Sequence, residues 1–74
     1  MCLLQMKVGE NAVIDAVHVS GEVRQRLISL GLIRNASISI KHFGWFKSTV
    51  AIMIENTAVA LRKEEALQIM VHKI

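Results

Sequence analysis

The sequence predicts a mainly β fold, a small barrel with one α-helix after the first strand and a short helical turn before the last strand. Apolar and polar residues alternate through Ile38 to Ile40 and again through Val50 to Ile54, the period of half-buried strands. One stretch, Gly21 to Leu30, repeats its apolar residues at helical spacing instead. The order of elements is an almost entirely local meander whose apolar face has no second layer to cover it. Such a sheet buries that face, and loses its edges, by closing on itself.

Gly9, Glu10 and Asn11 read as a turn into a first strand over Ala12 to Val19, rich in Ala, Val and Ile and interrupted by Asp15. Ser20 then stands at an N-cap position and Glu22 lies in the first helical turn, where a negative charge suits the dipole. Val23, Leu27 and Leu30 form the apolar stripe, Leu27 and Leu30 being placed to plug one end of the barrel. Gly31 stops the helix, because glycine takes the left-handed C′ conformation without steric cost. Arg24 and Arg26 fall on faces away from the stripe.

Arg34 and Asn35 make the next turn, asparagine tolerating positive φ. The strand of Ile38 and Ile40 follows, then a loop from Phe43 to Ser48, then the strand of Val50, Ile52 and Ile54, the two strands pairing as a hairpin. Asn56 and Thr57 turn the chain into Ala58 to Leu61, where Val59 and Leu61 share a face. Lys63 to Gln68 holds good helix formers but is too short to exist without packing, which Ala66 and Leu67 are expected to supply. Ile69, Val71 and Lys73 lead out as the last strand.

With 74 residues the chain fits one domain, residues 1–74. A domain of this size buries only about 60% of the surface its unfolded form exposes and needs a dense core, and 53% of its residues are hydrophobic. Its one cysteine, Cys2, excludes an internal disulfide and points to a cytoplasmic protein. No signal-peptide pattern is present, and charges interrupt every apolar run before the about 18 residues a membrane span needs. The mean hydropathy of +0.43 is high for a lone domain, so some apolar surface is expected to be covered by a partner or by a second copy.

Nine Lys and Arg against six Asp and Glu give a net charge of +3, scattered from Lys7 to Lys73. Nucleic-acid binders cluster their cations and interleave aromatic platforms, whereas here Phe43, Trp45 and Phe46 are the whole aromatic complement and sit together. No nucleic-acid partner and no membrane insertion are expected. Nor is a catalytic residue: no nucleophile lies beside a base, and no glycine pair could cradle a phosphate. Glu64 and Glu65 project in different directions from a solvated helix start, and Cys2 sits in a terminus expected to fray. His18, His42, His72 and Cys2 lack ligand spacing, so no cofactor or built-in metal site is expected, weak transition-metal ion binding at most. The aromatic loop has two readings of equal weight: Trp45 folds back over the barrel, or it stays exposed as an anchor for a partner.

Two motifs carry a resemblance that covers nearly the whole chain. They are Arg26-Leu27-Ile28-Ser29-Leu30-Gly31-Leu32 at the end of the helix and Ala58-Val59-Ala60-Leu61-Arg62-Lys63-Glu64-Glu65-Ala66 running from strand into helical turn. With Lys7-Val8-Gly9-Glu10 and the Ile38 to Ile40 strand in matching places, the chain resembles the FeoA family of bacterial ferrous-iron uptake. The resemblance implies an SH3-like barrel and a cytoplasmic, non-enzymatic accessory that binds and modulates a FeoB-type membrane transporter, at its cytosolic GTP-binding domain. Homo-oligomers are compatible with it. On this chain the partner contacts are expected at Arg24, Arg26, Trp45 and Phe46. The chain departs from the family at Arg34-Asn35, where relatives have Pro-Gly, and at Phe43 to Ser48, where they carry a Gly-Asp-Pro type of loop. The alternative reading is a regulatory SH3-like domain related to the C-terminal domain of metal-dependent repressors. The single substantial helix, with no second to complete a helix-turn-helix, weighs against it.

Overall fold

Alternation becomes five antiparallel strands in the computed structural model, which describes residues 1–74: β1 Asn11–Val17, β2 Ser37–Phe43, β3 Thr49–Ile54, β4 Thr57–Arg62 and β5 Ile69–Lys73. Helix α1 spans Gly21–Ser29, the short α2 spans Lys63–Ala66, and 3₁₀ turns cover Leu3–Gln5 and Trp45–Lys47. The strands run in the order β4-β3-β2-β1-β5. The mainly β architecture stands as read, but hydrogen bonding does not complete the ring, since β4 pairs with β3 alone. The chain covers part of the remaining edge with its own N-terminus: the Met1 amino nitrogen donates to Val71 O at 3.2 Å, and Val71 N–H donates back to Met1 O at 2.7 Å.

Two bulges bend the sheet. Asp15 is the extra residue between Ile14 and Ala16 of β1, and Lys41 between Ile40 and His42 of β2. Each leaves one residue unopposed and sharpens the local twist, which lets five short strands wrap one core. Ala12, Ile14, Ile38, Ile40, Val50, Ile52, Ile54, Val59, Leu61, Ile69 and Val71 fill that core from alternate positions of every strand.

The helix differs in detail from expectation. Leu27 is fully buried and Val23 packs half-buried against the core, but Leu30 is 37% exposed, and Leu32 takes the inward place instead. The reason is the C-terminal cap. Gly31, at φ +99°, reverses the chain so that Leu32 N–H reaches Leu27 O (2.9 Å) and Gly31 N–H reaches Ile28 O (3.0 Å). These are the two bonds of a Schellman motif, which swings the residue after the glycine back onto the helix. Ser20 occupies the N-cap position, yet its side chain makes no capping hydrogen bond.

Other boundaries shift by one or two residues. β1 ends at Val17, Val19 being buried beyond it, and Phe43 closes β2 instead of opening the loop. The β3–β4 turn lies at Glu55-Asn56, because Thr57 pairs with Ile54 as the first residue of β4. Glu55 therefore adopts φ +55°. A left-handed conformation costs a residue with a Cβ about 1–2 kcal/mol. Glycine avoids that cost but gives back part of the gain through unfolded-state entropy. We expect Glu55→Gly to stabilise the fold by about 0.5–1 kcal/mol in urea unfolding. In α2, Ala66 is fully buried but Leu67 is 47% exposed, so Ala66 alone anchors that turn.

The largest departure is at the N-terminus, which does not fray. Leu3 and Met6 are fully buried, Leu4 nearly so, and Cys2 is half-buried opposite Met70. The 3₁₀ turn over Leu3–Gln5 packs against α2 and β5.

Candidate partner-binding site

The loop between β2 and β3 resolves the two readings of its aromatics by splitting them. Phe43 packs half-buried against the core, while Trp45 is 84% and Phe46 92% exposed. The exposed rings lean on each other, centroids 6.0 Å apart at 51°. Gly44 N–H donates to Thr49 O (2.9 Å) and closes the base of the loop. Lys47 N–H to Gly44 O (3.0 Å) and Ser48 N–H to Trp45 O (2.9 Å) tighten its tip.

Phe46 and Lys47 take φ +53° and +58° in succession. Consecutive left-handed residues without glycine persist only where the surroundings hold them. The holding group is Lys47. Its Nζ donates to Leu4 O at 2.9 Å and lies 4.7 Å from the Phe43 ring centroid, a cation–π contact. The loop is thus riveted to the buried N-terminal turn and presents two large apolar side chains to water.

Arg24 and Arg26 are both exposed on α1 but diverge. Arg24 Nη1 donates to Val17 O at 2.7 Å, across the end of β1. Arg26 Nη2 meets Glu65 Oε2 of α2 at 2.5 Å, while Glu65 Oε1 accepts the Arg62 N–H at 3.0 Å. At the start of α2, Lys63 N–H donates to Ser48 O (2.9 Å), one residue past the aromatic turn. α2 thus links Arg26 to the Trp45–Phe46 tip, whereas Arg24 looks toward β1. Both arginines also serve the fold, a role the sequence did not reveal.

The metal-ligand candidates stay scattered. No three His, Cys, Asp or Glu side chains converge as an ion would require. His72 Nδ1 lies 2.6 Å from Asp15 Oδ1, so the bulge in β1 aims its carboxylate at the facing strand. The titration of Glu10 is displaced. The Lys73 ammonium, 2.9 Å away, and the Lys7 N–H, at 2.6 Å, hold it below the usual carboxylate range. With the folded pKa lowered, the stability it contributes is present above the unfolded pKa and is lost as pH falls through the folded value.

Comparison with known proteins places this geometry. The family model described as "FeoA domain" matches residues 1–73. A Campylobacter jejuni protein named as a candidate Fe(2+) transport protein A is 31% identical over 74 residues, 100% of both chains. The solution structure of the Chlorobium tepidum FeoA protein is 30% identical, has a TM-score of 0.93, and is matched over 100% of this chain and 70% of that one. The zinc complex of Stenotrophomonas maltophilia FeoA, described as a prokaryotic SH3 domain protein, superimposes with a TM-score of 0.82 at 24% identity, over 97% of this chain and 89% of that one. The manganese-activated repressor ScaR shares the fold at 22% identity and a TM-score of 0.85, matching 100% of this chain and 35% of the repressor. The small SH3-like fold read from the sequence is thus the fold of the proteins it resembles.

Proposed function

The chain belongs to the FeoA domain family, and from that premise we propose that it is a cytoplasmic accessory of bacterial ferrous-iron uptake that docks on a FeoB-type membrane transporter, at its cytosolic GTP-binding domain, and modulates it without catalysing a reaction itself. The observation that carries this reading is the Trp45–Phe46 tip, two aromatic side chains held in water on a loop of unfavourable backbone geometry. Exposed aromatics that enter a partner's recess supply most of the affinity of a small interface. Because Lys47 and the loop hydrogen bonds fix the tip beforehand, little ordering entropy remains to be lost on binding. Arg26, linked to the tip through α2, is the rim charge that steers the encounter and sets orientation, while Arg24, turned toward β1, would meet only a partner that reaches across α1. Fe(2+) is the transporter's cargo on this reading.

Titrating the transporter's isolated cytosolic domain with the fluorescently labelled chain is expected to give saturable one-to-one binding. A flat titration up to about 1 mM, the weak limit of specific association, would overturn the reading. The likeness to ScaR favours a second one, an SH3-like regulatory domain related to those of metal-dependent repressors. DNA binding that falls steeply with salt would mark it.

A further inference from the structure

The Trp45–Phe46 tip does not stand alone at its end of the sheet. Thr49 pairs with Arg62 across β3 and β4, and Lys63 N–H donates to Ser48 O at 2.9 Å, so two cations far away in the sequence lie beside the aromatic turn. Lys41, the extra residue of the β2 bulge, and His42 approach it along the other strand. His42 and Arg62 share the outer face of the sheet, since His42 lies opposite Ala51, between the buried Val50 and Ile52, and Arg62 follows the buried Leu61. Only the small residues Thr49, Ala51 and Ala60 lie between them on that face. Lys41, Arg62 and Lys63 are all exposed, and none has an ion-pair partner within the chain.

The carboxylates are paired or turned elsewhere. Glu65 is matched by Arg26, Glu10 by Lys73, and Asp15 faces His72. Glu22 and Glu64 flank the start of α1, Glu64 lining a recess there with Ser20 and Val23. Glu55 follows the far end of β3, about 20 Å of strand from Thr49. The fold thus gathers unmatched positive charge around two exposed rings. We infer that the partner surface receiving the tip is acidic, an apolar recess for Trp45 and Phe46 rimmed by carboxylates that meet Lys41, Arg62 and Lys63. The inference rests on the docking proposed above and names the chemistry of the surface docked on. Each of these cations can meet a carboxylate without first breaking an ion pair of its own, whereas Arg26 would have to share Glu65. A basic or uncharged rim would set like charges together or leave the three cations without partners.

Titration of the transporter's cytosolic domain with the labelled whole chain is expected to weaken about tenfold between about 50 and 500 mM NaCl, mainly through slower association. Lys63→Glu should weaken binding about tenfold and Arg62→Gln about threefold. A glutamate at the first residue of α2 suits the helix dipole, so Lys63→Glu should remain folded. Arg34→Glu changes the net charge as much as Lys63→Glu does, but it lines a cavity with Glu55 at the opposite end of the strands, and it should bind as the parent does. Binding indifferent to salt, or weakened as much by Arg34→Glu as by Lys63→Glu, would overturn the inference and leave the docking itself standing. A flat titration would overturn both. Phosphatidylglycerol vesicles and single-stranded oligothymidylate should bind more weakly than the domain; tighter binding to either would assign the cations to phosphate and overturn the acidic protein surface.

Discussion

Leu3→Ala is expected to unfold much of the protein, lowering stability by about 3 kcal/mol in urea unfolding, within the range of about 2–5 kcal/mol for deleting a fully buried leucine side chain. Leu3 is fully buried beside Met6, in a turn that packs on α2 and β5. The surroundings cannot collapse into the space, because β1, β5 and α2 are fixed by their own pairings. A core this small rarely supplies more than about 3–5 kcal/mol in total, so the loss removes most of the margin. The effect should also reach the aromatic loop, since Lys47 Nζ is held by the carbonyl of Leu4. Loss of Trp45 fluorescence anisotropy at a urea concentration below the global midpoint would report that coupling. A Leu3→Ala variant as stable as the parent would show that the N-terminal turn is not part of the core.

The second large effect is on binding. Trp45→Ala combined with Phe46→Ala should weaken association with the transporter's cytosolic domain about 1000-fold, since buried aromatic anchors cost about 2 kcal/mol each when truncated. Thermal stability should not fall with it. At 84% and 92% exposed, the two side chains bury almost no area in the free chain, so truncation forfeits no core contact. This separation of affinity from stability is the test. Arg26→Ala makes the contrasting control, because it breaks the contact to Glu65 and should disturb α2 as well as any partner. Unchanged affinity in the double aromatic variant would place the contact elsewhere and leave the fold untouched.

Much of this was legible in the sequence because it follows from local period and local chemistry. Ile38 and Ile40, then Val50, Ile52 and Ile54, had to share faces whatever they packed against, and each is buried. Gly31 had to end the helix, and it does so through a Schellman pair. The two long motifs carried the family, and the family carried the fold. The candidate site was half legible: the aromatic cluster stood out by composition, but not which ring would turn inward. That is decided by the bonds of Gly44 to Thr49 and of Lys47 to Leu4, which join residues no periodicity relates.

What the sequence by itself determined, then, is a mainly β fold with one substantial helix, a glycine-capped helix end, and an aromatic loop between two paired strands. The tertiary structure alone decided the rest. Apolar residues in the short segment Met1 to Met6 carried no period long enough to assign, yet β5 and α2 bury them. Leu30 and Leu32 are equally apolar, and only the reversal at Gly31 says which one enters the core. Closure of the barrel was inferred from the need to bury a face. That need was met by wrapping and by the N-terminal strap, both of which remove apolar surface from water as well as a fifth ladder, between β4 and β5, would. The hydrophobic effect has no direction, so it could demand burial without dictating which edge stays open.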